Sequence, residues 1–141
     1  MKPFRIKMTD SLIKSYDMHK KLEQIEVDEE FIHNVDLTKF HSDDYVDCLR
    51  SMSIANREKY LDQIHRFAFG DDCPIFDNML DYCQRYTAGS LLASTRITPA
   101  IGDDISINWS GGLHHAKKYE ASGFCYVNDC VLSIIELLKT Y

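Results

Sequence analysis

Trp109-Ser-Gly-Gly-Leu-His-His-Ala-Lys-Lys118, running on through Glu120-Ala-Ser-Gly-Phe-Cys-Tyr126, is the stretch whose reading decides the fold. It holds the only tryptophan, two of the six histidines and three of the six glycines. Glycine reaches backbone angles closed to other residues, so Gly111-Gly112 permits a sharp turn that presents His114 and His115. The run just before it, Ile105, Ile107 and Trp109 alternating with Asp104, Ser106 and Asn108, has the period of a strand. A loop at the end of a buried strand is a common place for a scaffold to display chemistry. The two histidines therefore read as a candidate acid/base pair, against the plainer reading of packed or merely exposed imidazoles.

Working outward, Val127 to Lys139 has Val131, Ile134, Ile135 and Leu138 on one side, with Asn128 or Asp129 near its start, and predicts the last helix. Strand, loop and amphipathic helix are the first two-thirds of a βαβ unit, whose next element is a parallel strand. The chain stops at Tyr141, where that strand is due, so it reads as part of a larger α/β domain. Upstream the pattern is helical. Leu12, Ile13, Tyr16 and His19 predict a helix over 9–22 with Thr9 or Asp10 as N-cap. Asp28 to Phe40 suggests a short acidic helix and a loop. Ser42-Asp-Asp caps a helix carrying Tyr45, Val46, Leu49 and Met52. Asn56 to Phe67 predicts a shorter helix, Gly70-Asp-Asp-Cys-Pro74 breaks the pattern, and a long helix follows from Phe76. Pro99 and Gly102 close it. With several helices around one strand, the strand's backbone groups lack partners.

Composition excludes several classes. The chain has 141 residues, 45% of them hydrophobic and 27% charged, the profile of one globular domain at most. A net charge of -6 argues against direct DNA binding, because no basic surface displaces phosphate counterions. No apolar run reaches the length of a membrane span, and Met1-Lys-Pro-Phe-Arg lacks a signal-peptide core. The five cysteines form no Cys-x-x-Cys pair and read as reduced thiols. Cys125 reads as a small buried hydrophobe in preference to a nucleophile. Adjacent histidines rarely chelate one metal, and the spacing supplies no metal ligands. Each imidazole would want a carboxylate on its far nitrogen, for which Asp103, Asp104, Glu120 and Asp129 are the nearby candidates.

Read as WSGGLHHAKKYEASGFCYVND, residues 109–129 resemble the active-site stretch of class I zinc-dependent histone deacetylases, in the arginase/deacetylase superfamily. Met1-Lys-Pro with Arg5, Phe40-His-Ser-Asp-Asp-Tyr45, Gly70-Asp-Asp-Cys-Pro74 and Ile134-Ile-Glu-Leu-Leu-Lys139 are similar to further family segments in family order. The resemblance implies an α/β fold: residues 1–141 as a partial, N-terminal portion of a parallel-sheet domain with helices on both faces, mostly helical with few strands. By the same resemblance His114 and His115 are the catalytic tandem. Asp72, Gly123 and Phe124 bind substrate as rim carboxylate and tunnel wall. Arg5, Trp109, Leu113 and Cys125 line an internal cavity, and Lys2 contacts an inositol phosphate. Phe4 departs from the histidine usual at its position.

The family implies zinc as cofactor, acetylated histone tails and a corepressor complex as partners, and a nuclear location with a cytoplasmic one beside it. The zinc ligands and the tyrosine that polarises the acetyl carbonyl belong to segments with no counterpart in this sequence. The expectation is therefore a truncated deacetylase-like chain, inactive alone. The alternatives are a non-catalytic module that binds corepressor or deacetylase partners, and a self-contained enzyme using His114 and His115 with Cys125.

Overall fold

The first helix, α1 (Pro3–Ser15), starts earlier than its apolar spacing suggests. Proline is well placed at a first helical position, where its missing N–H costs nothing. Thr9, read as a cap, instead donates its hydroxyl to the Arg5 carbonyl at 3.1 Å, and Asp10 pairs with Lys14 at 2.8 Å. Asp17, in the left-handed region at φ 55°, ends the run ahead of a 3-10 turn over Met18–Lys21. The structure is a computed structural model that describes residues 3–97 and 105–139.

Capping chemistry sets most other helix starts. In α2 (Glu29–His33) the Asp28 carboxylate accepts the Phe31 N–H. A 3-10 turn at Leu37–Lys39 follows, opened by Asp36 accepting from Thr38. In α3 (Asp43–Ser51) Ser42 is the N-cap residue, but its hydroxyl turns to the Asp44 carboxylate, which itself accepts the Tyr45 N–H at 2.9 Å. The segment expected as one helix over 56–67 is a 3-10 stretch, Ile54–Tyr60, continued by α4 (Leu61–Arg66). The long helix α5 (Met79–Arg96) begins three residues later than Phe76, because Asn78 takes a left-handed conformation at φ 61°. The last, α6 (Asp129–Leu137), is capped by Asn128 accepting the Val131 N–H at 3.0 Å. Pro99 and Gly102 lie outside the described residues.

The long helix α5 is the hub, packing against α6, α2 and α3. Met79, Cys83 and Tyr86 on its inner face join Tyr45 and Leu49 of α3, Phe67, Leu113, Val127 and Leu132 in one buried cluster. Burying each such side chain is worth about 1.5–3 kcal/mol, so this cluster carries the fold. Aromatic rings pack in a chain: Tyr45 lies edge-on to Phe67 and stacks with Phe69, which stacks in turn with Tyr126. Two long-range hydrogen bonds lock the 126–127 segment to the helices. The Tyr45 hydroxyl donates to the Tyr126 carbonyl at 2.8 Å, and the Tyr86 hydroxyl donates to the Val127 carbonyl at 2.9 Å.

One expectation fails here. Among the described residues there is no strand; Ile105 to Trp109 is irregular, and only isolated bridges occur, Lys117 with Glu120 and Ser122 with Cys125. The alternation survives, but it faces the wrong way for a lone segment. Ile105 is 86% exposed, Ile107 49% and Trp109 46%, while Asn108 turns inward to bond α5. A strand needs a ladder partner, and none lies beside this segment among the described residues. The architecture shown is mostly helical.

Candidate active site

The histidine loop is held from three sides by polar side chains. Upstream, Asn108 Nδ2 donates to the Tyr86 carbonyl at 2.8 Å and to Ser90 Oγ at 2.9 Å, and its Oδ1 accepts the Ser110 N–H at 3.0 Å. That bolts the loop's entrance to α5. The approach is close: a Cβ on Gly89 would stand 2.8 Å from Asn108 Nδ2, and one on Gly111 would stand 2.5 Å from Asp129 Oδ2. Only glycine fits such a contact without a shift.

From below, the buried carboxylate of Asp129 grips the turn. Oδ2 accepts the Gly112 N–H at 2.9 Å and the Ser90 hydroxyl, and Oδ1 accepts the Leu113 N–H at 2.7 Å. A carboxylate that is 1% exposed is costly unless its oxygens are filled, and these are. Its position in the first turn of α6 adds the favourable helix dipole. Downstream, Asn128 Nδ2 donates to the carbonyls of His114 and Ala116, both at 3.0 Å, while its own N–H donates to His41 Nε2 at 3.0 Å.

This clamp leaves His114 and His115 exposed, side by side, with ring centroids 4.1 Å apart. The His114 ring bonds back to the Gly112 carbonyl through Nδ1 at 3.0 Å. His115 lies on Gly123, where an added Cβ would come 2.9 Å from His115 Cγ; Gly123 also sits at φ +51°. The next residue, Phe124, has φ 68° and is 54% exposed. The structure thus brings together His114, His115 and Gly123, with Phe124 adjoining.

The other expected residues are spread more widely. Leu113 and Cys125 are buried in the main core, at 2% and 4% exposure, whereas Arg5 is exposed on α1 and Trp109 is half exposed. Neither a cavity of about 140 Å³ between α2, α5 and α6 nor one of about 280 Å³ beside Gly70 and Pro74 is lined by any of the candidate residues. Asp72 is exposed in the turn where the Gly70 N–H donates to the Cys73 carbonyl at 3.1 Å. Lys2 lies outside the described residues, as do Asp103 and Asp104. Cys125 donates its thiol to the Gly123 carbonyl at 3.4 Å and is buried, the environment of a packed thiol.

Of the carboxylates considered as partners for the imidazoles, Glu120 pairs with Lys117 and Asp129 is committed to the loop backbone. Zinc, implied by resemblance, does not fit what is here: among the described residues no three His, Cys, Asp or Glu side chains converge as metal donors. Sequence reading missed the positioning residues His41, Ser90 and Asn108, took Asn128 only for a helix start, and offered Asp129 as a helix start or an imidazole partner but not as the clamp of the loop backbone. Their partners lie from 12 to 87 positions away, beyond any local pattern.

The whole chain, residues 1–141, matches the family model of the histone deacetylase domain. It is 49% identical over 139 residues to the probable histone deacetylase 1-B of Xenopus laevis, and 48% identical over 139 residues to histone deacetylase 1 of Homo sapiens. Each match covers 99% of this chain and 28% of the relative, so the chain spans little more than a quarter of those proteins. The chain belongs to the histone deacetylase domain family.

Proposed function

We propose that this chain forms the histidine-bearing wall of a site that hydrolyses acetyl-lysine. The observation that carries it is the His114–His115 pair, 4.1 Å between ring centroids, seated on Gly123 and clamped by the start of α6. In amide hydrolysis a water oxygen adds to the acetyl carbon, the C–N bond breaks, and a proton passes from the water to the lysine nitrogen. One imidazole accepts that proton and its neighbour stabilises charge or returns the proton, as general acid–base catalysis requires. Gly123 and Phe124 form the wall along the lysine chain, and Asp72 accepts from the substrate backbone at the rim. By the family resemblance, Arg5, Trp109, Leu113 and Cys125 would line an internal cavity of the completed domain, and Lys2 would meet an inositol phosphate.

No step is assigned to zinc, since no donor set converges among the described residues. A metal-bearing segment must come from another polypeptide or from further chain, and the parallel sheet that would cover Ile105, Ile107 and α6 comes with it. Residues 1–141 are then one partial domain. Histone tails as substrate, a corepressor assembly as partner and action on chromatin in the nucleus follow from the family.

A second reading, an interaction module for deacetylase or corepressor partners, draws on α1. Phe4, Met8, Leu12 and Tyr16 stand exposed along one side of it and just past its end. The experiment that tests the first reading supplies the remainder of a deacetylase domain to the 141-residue chain and follows acetate release. His114→Ala and His115→Ala should each lower the rate by 100-fold or more, in line with loss of acid/base catalysis. A rate in either variant equal to that of the unsubstituted protein would overturn the assignment.

A further inference from the structure

A cavity of about 280 Å³ opens beside the turn that carries Asp72, away from the histidine pair's own residues. Ile64 of α4, Phe69, Pro74 and Ile75 give it apolar walls, and Gly70 adds a wall with no side chain. Arg57, from the 3-10 stretch before α4, is its one charged lining residue among the described residues. A Cβ added to Gly70 would meet nothing within 4 Å, so that side is open space. The walls are tied to one another and to the core. The Phe69 N–H donates to the Ile64 carbonyl at 3.0 Å, and the Tyr126 hydroxyl donates to the Pro74 carbonyl at 2.6 Å. The Ile54 N–H donates to Asp77 Oδ1 at 3.2 Å, which joins the stretch bearing Arg57 to the residues just past Ile75. A cavity framed in this way takes a ligand with little rearrangement.

The lining says what chemistry fits. Arg66 pairs with Asp44 and Arg85 with Glu29, whereas Arg57 is exposed and makes no ion pair among the described residues. Apolar walls with one unpaired guanidinium suit an apolar group that has a carboxylate beside it. The place of the cavity says what brings such a group. Its walls Gly70 and Pro74 bracket Asp71, Asp72 and Cys73, in a turn closed by the Gly70 N–H on the Cys73 carbonyl at 3.1 Å. Asp72 is the residue proposed above to hold the substrate main chain, so a peptide laid on it crosses the mouth of the cavity. We infer that this cavity is a subsite for residues flanking acetyl-lysine: an apolar side chain enters between Ile64, Phe69 and Ile75, and an adjacent acidic side chain pairs with Arg57. The identity of the peptide rests on the deacetylase reading. Asp71 and Asp72 are both exposed and repel a carboxylate on their side of the turn, so the acid is accepted on the Arg57 side.

Titration of the 141-residue chain with two peptides, Glu-Leu-acetyllysine-Leu-Glu and Gln-Leu-acetyllysine-Leu-Gln, followed by carbon-13 and nitrogen-15 spectra at low salt, reads the subsite without turnover. The acidic peptide should shift the methyl signals of Ile64 and Ile75 and the side-chain Nε–H of Arg57. It should bind about 2- to 5-fold tighter than the neutral one, the range open to one exposed ion pair. Arg57→Gln should bring the two affinities together, as should raising the salt to about 0.5 M. Lys59→Gln removes a nearby cation that does not line the cavity, and should keep the difference. Exchanging both leucines of the peptide for serine should abolish the Ile64 and Ile75 shifts. Equal affinities in the wild type, a difference that survives Arg57→Gln or is lost in Lys59→Gln, or silent Ile64 and Ile75 signals would each overturn the inference. In the completed domain, acetate release with equal kcat/KM from the two peptides would count against the subsite alone. Discrimination in binding with no acetate release would count against the deacetylase reading alone.

Discussion

His41 Nε2 accepts the N–H of Asn128 at 3.0 Å, joining residues 87 positions apart at the root of the histidine loop. The bond requires an unprotonated Nε2. His41 is 1% exposed, between the rings of Phe40 and Tyr45, and burial pushes its pKa down to about 4, opposed by the backbone of Lys118 and Lys117. In the unfolded chain the imidazole takes a proton near 6.5, so between those values only the unfolded state gains it. Stability should therefore fall as pH drops from about 6.5 to about 4, by up to about 3 kcal/mol from this group, and level off below. Chemical denaturation across that range checks it. His41→Gln should flatten the profile, and an unchanged slope would remove His41 as its cause.

Gly123 and Gly70 offer a matched pair of substitutions. Gly123→Ala combines φ +51° with a Cβ 2.9 Å from His115 Cγ, so it should cost about 1–3 kcal/mol and shift the His115 ring signals. A Cβ on Gly70 meets nothing within 4 Å. Gly70→Ala should leave both stability and the His115 signals near those of the wild type. Equal effects from the two would contradict the close packing of His115 on Gly123.

Tyr86 hydroxyl serves Val127 twice, donating to its carbonyl at 2.9 Å and accepting its N–H at 2.8 Å. Tyr86→Phe leaves a buried N–H without that partner, a loss of about 1–3 kcal/mol. Melting of the variant beside the wild type measures it. The Asn128 and Asp129 contacts to the loop begin one residue later, so the His114 and His115 signals should broaden in the same variant.

Apolar side chains open to solvent bear on solution behaviour. Phe4, Leu12, Ile105, Trp109, Ile134 and Leu138 are each between 46% and 86% exposed. Exposed apolar side chains that line up, as Phe4, Met8 and Leu12 do along α1 with Tyr16 just past its end, drive association. Sedimentation should show self-association that grows with concentration, reduced in Met8→Glu/Leu12→Glu. A concentration-independent monomer with a sharp melt would contradict this.

Much of this was legible in the sequence wherever the signal is local. Asn128 at the head of an apolar stripe gives α6, and the Gly-rich words around His114 give the family, whereas 28–40 reads ambiguously as a short acidic helix and a loop. The start of α1 was misread because Thr9 looks like a cap but bonds backward to Arg5. The strand over 105–109 has the right period, yet period alone supplies no ladder partner. The clamp was illegible for a different reason: Asp129 meets Leu113 and Gly112 only after α5, α6 and the loop have packed. The same aspartate reads from sequence as a first-turn charge of α6 or an imidazole partner; it is the first of these.

Acetate release from an acetyl-lysine peptide by the 141-residue chain, with zinc, with and without an added segment carrying the family's metal ligands, tests the central claim most directly. The account predicts no turnover by the chain alone, and turnover with the segment that His114→Ala abolishes. Zinc-dependent release by the chain alone, or release in the complemented sample indifferent to His114, would contradict it.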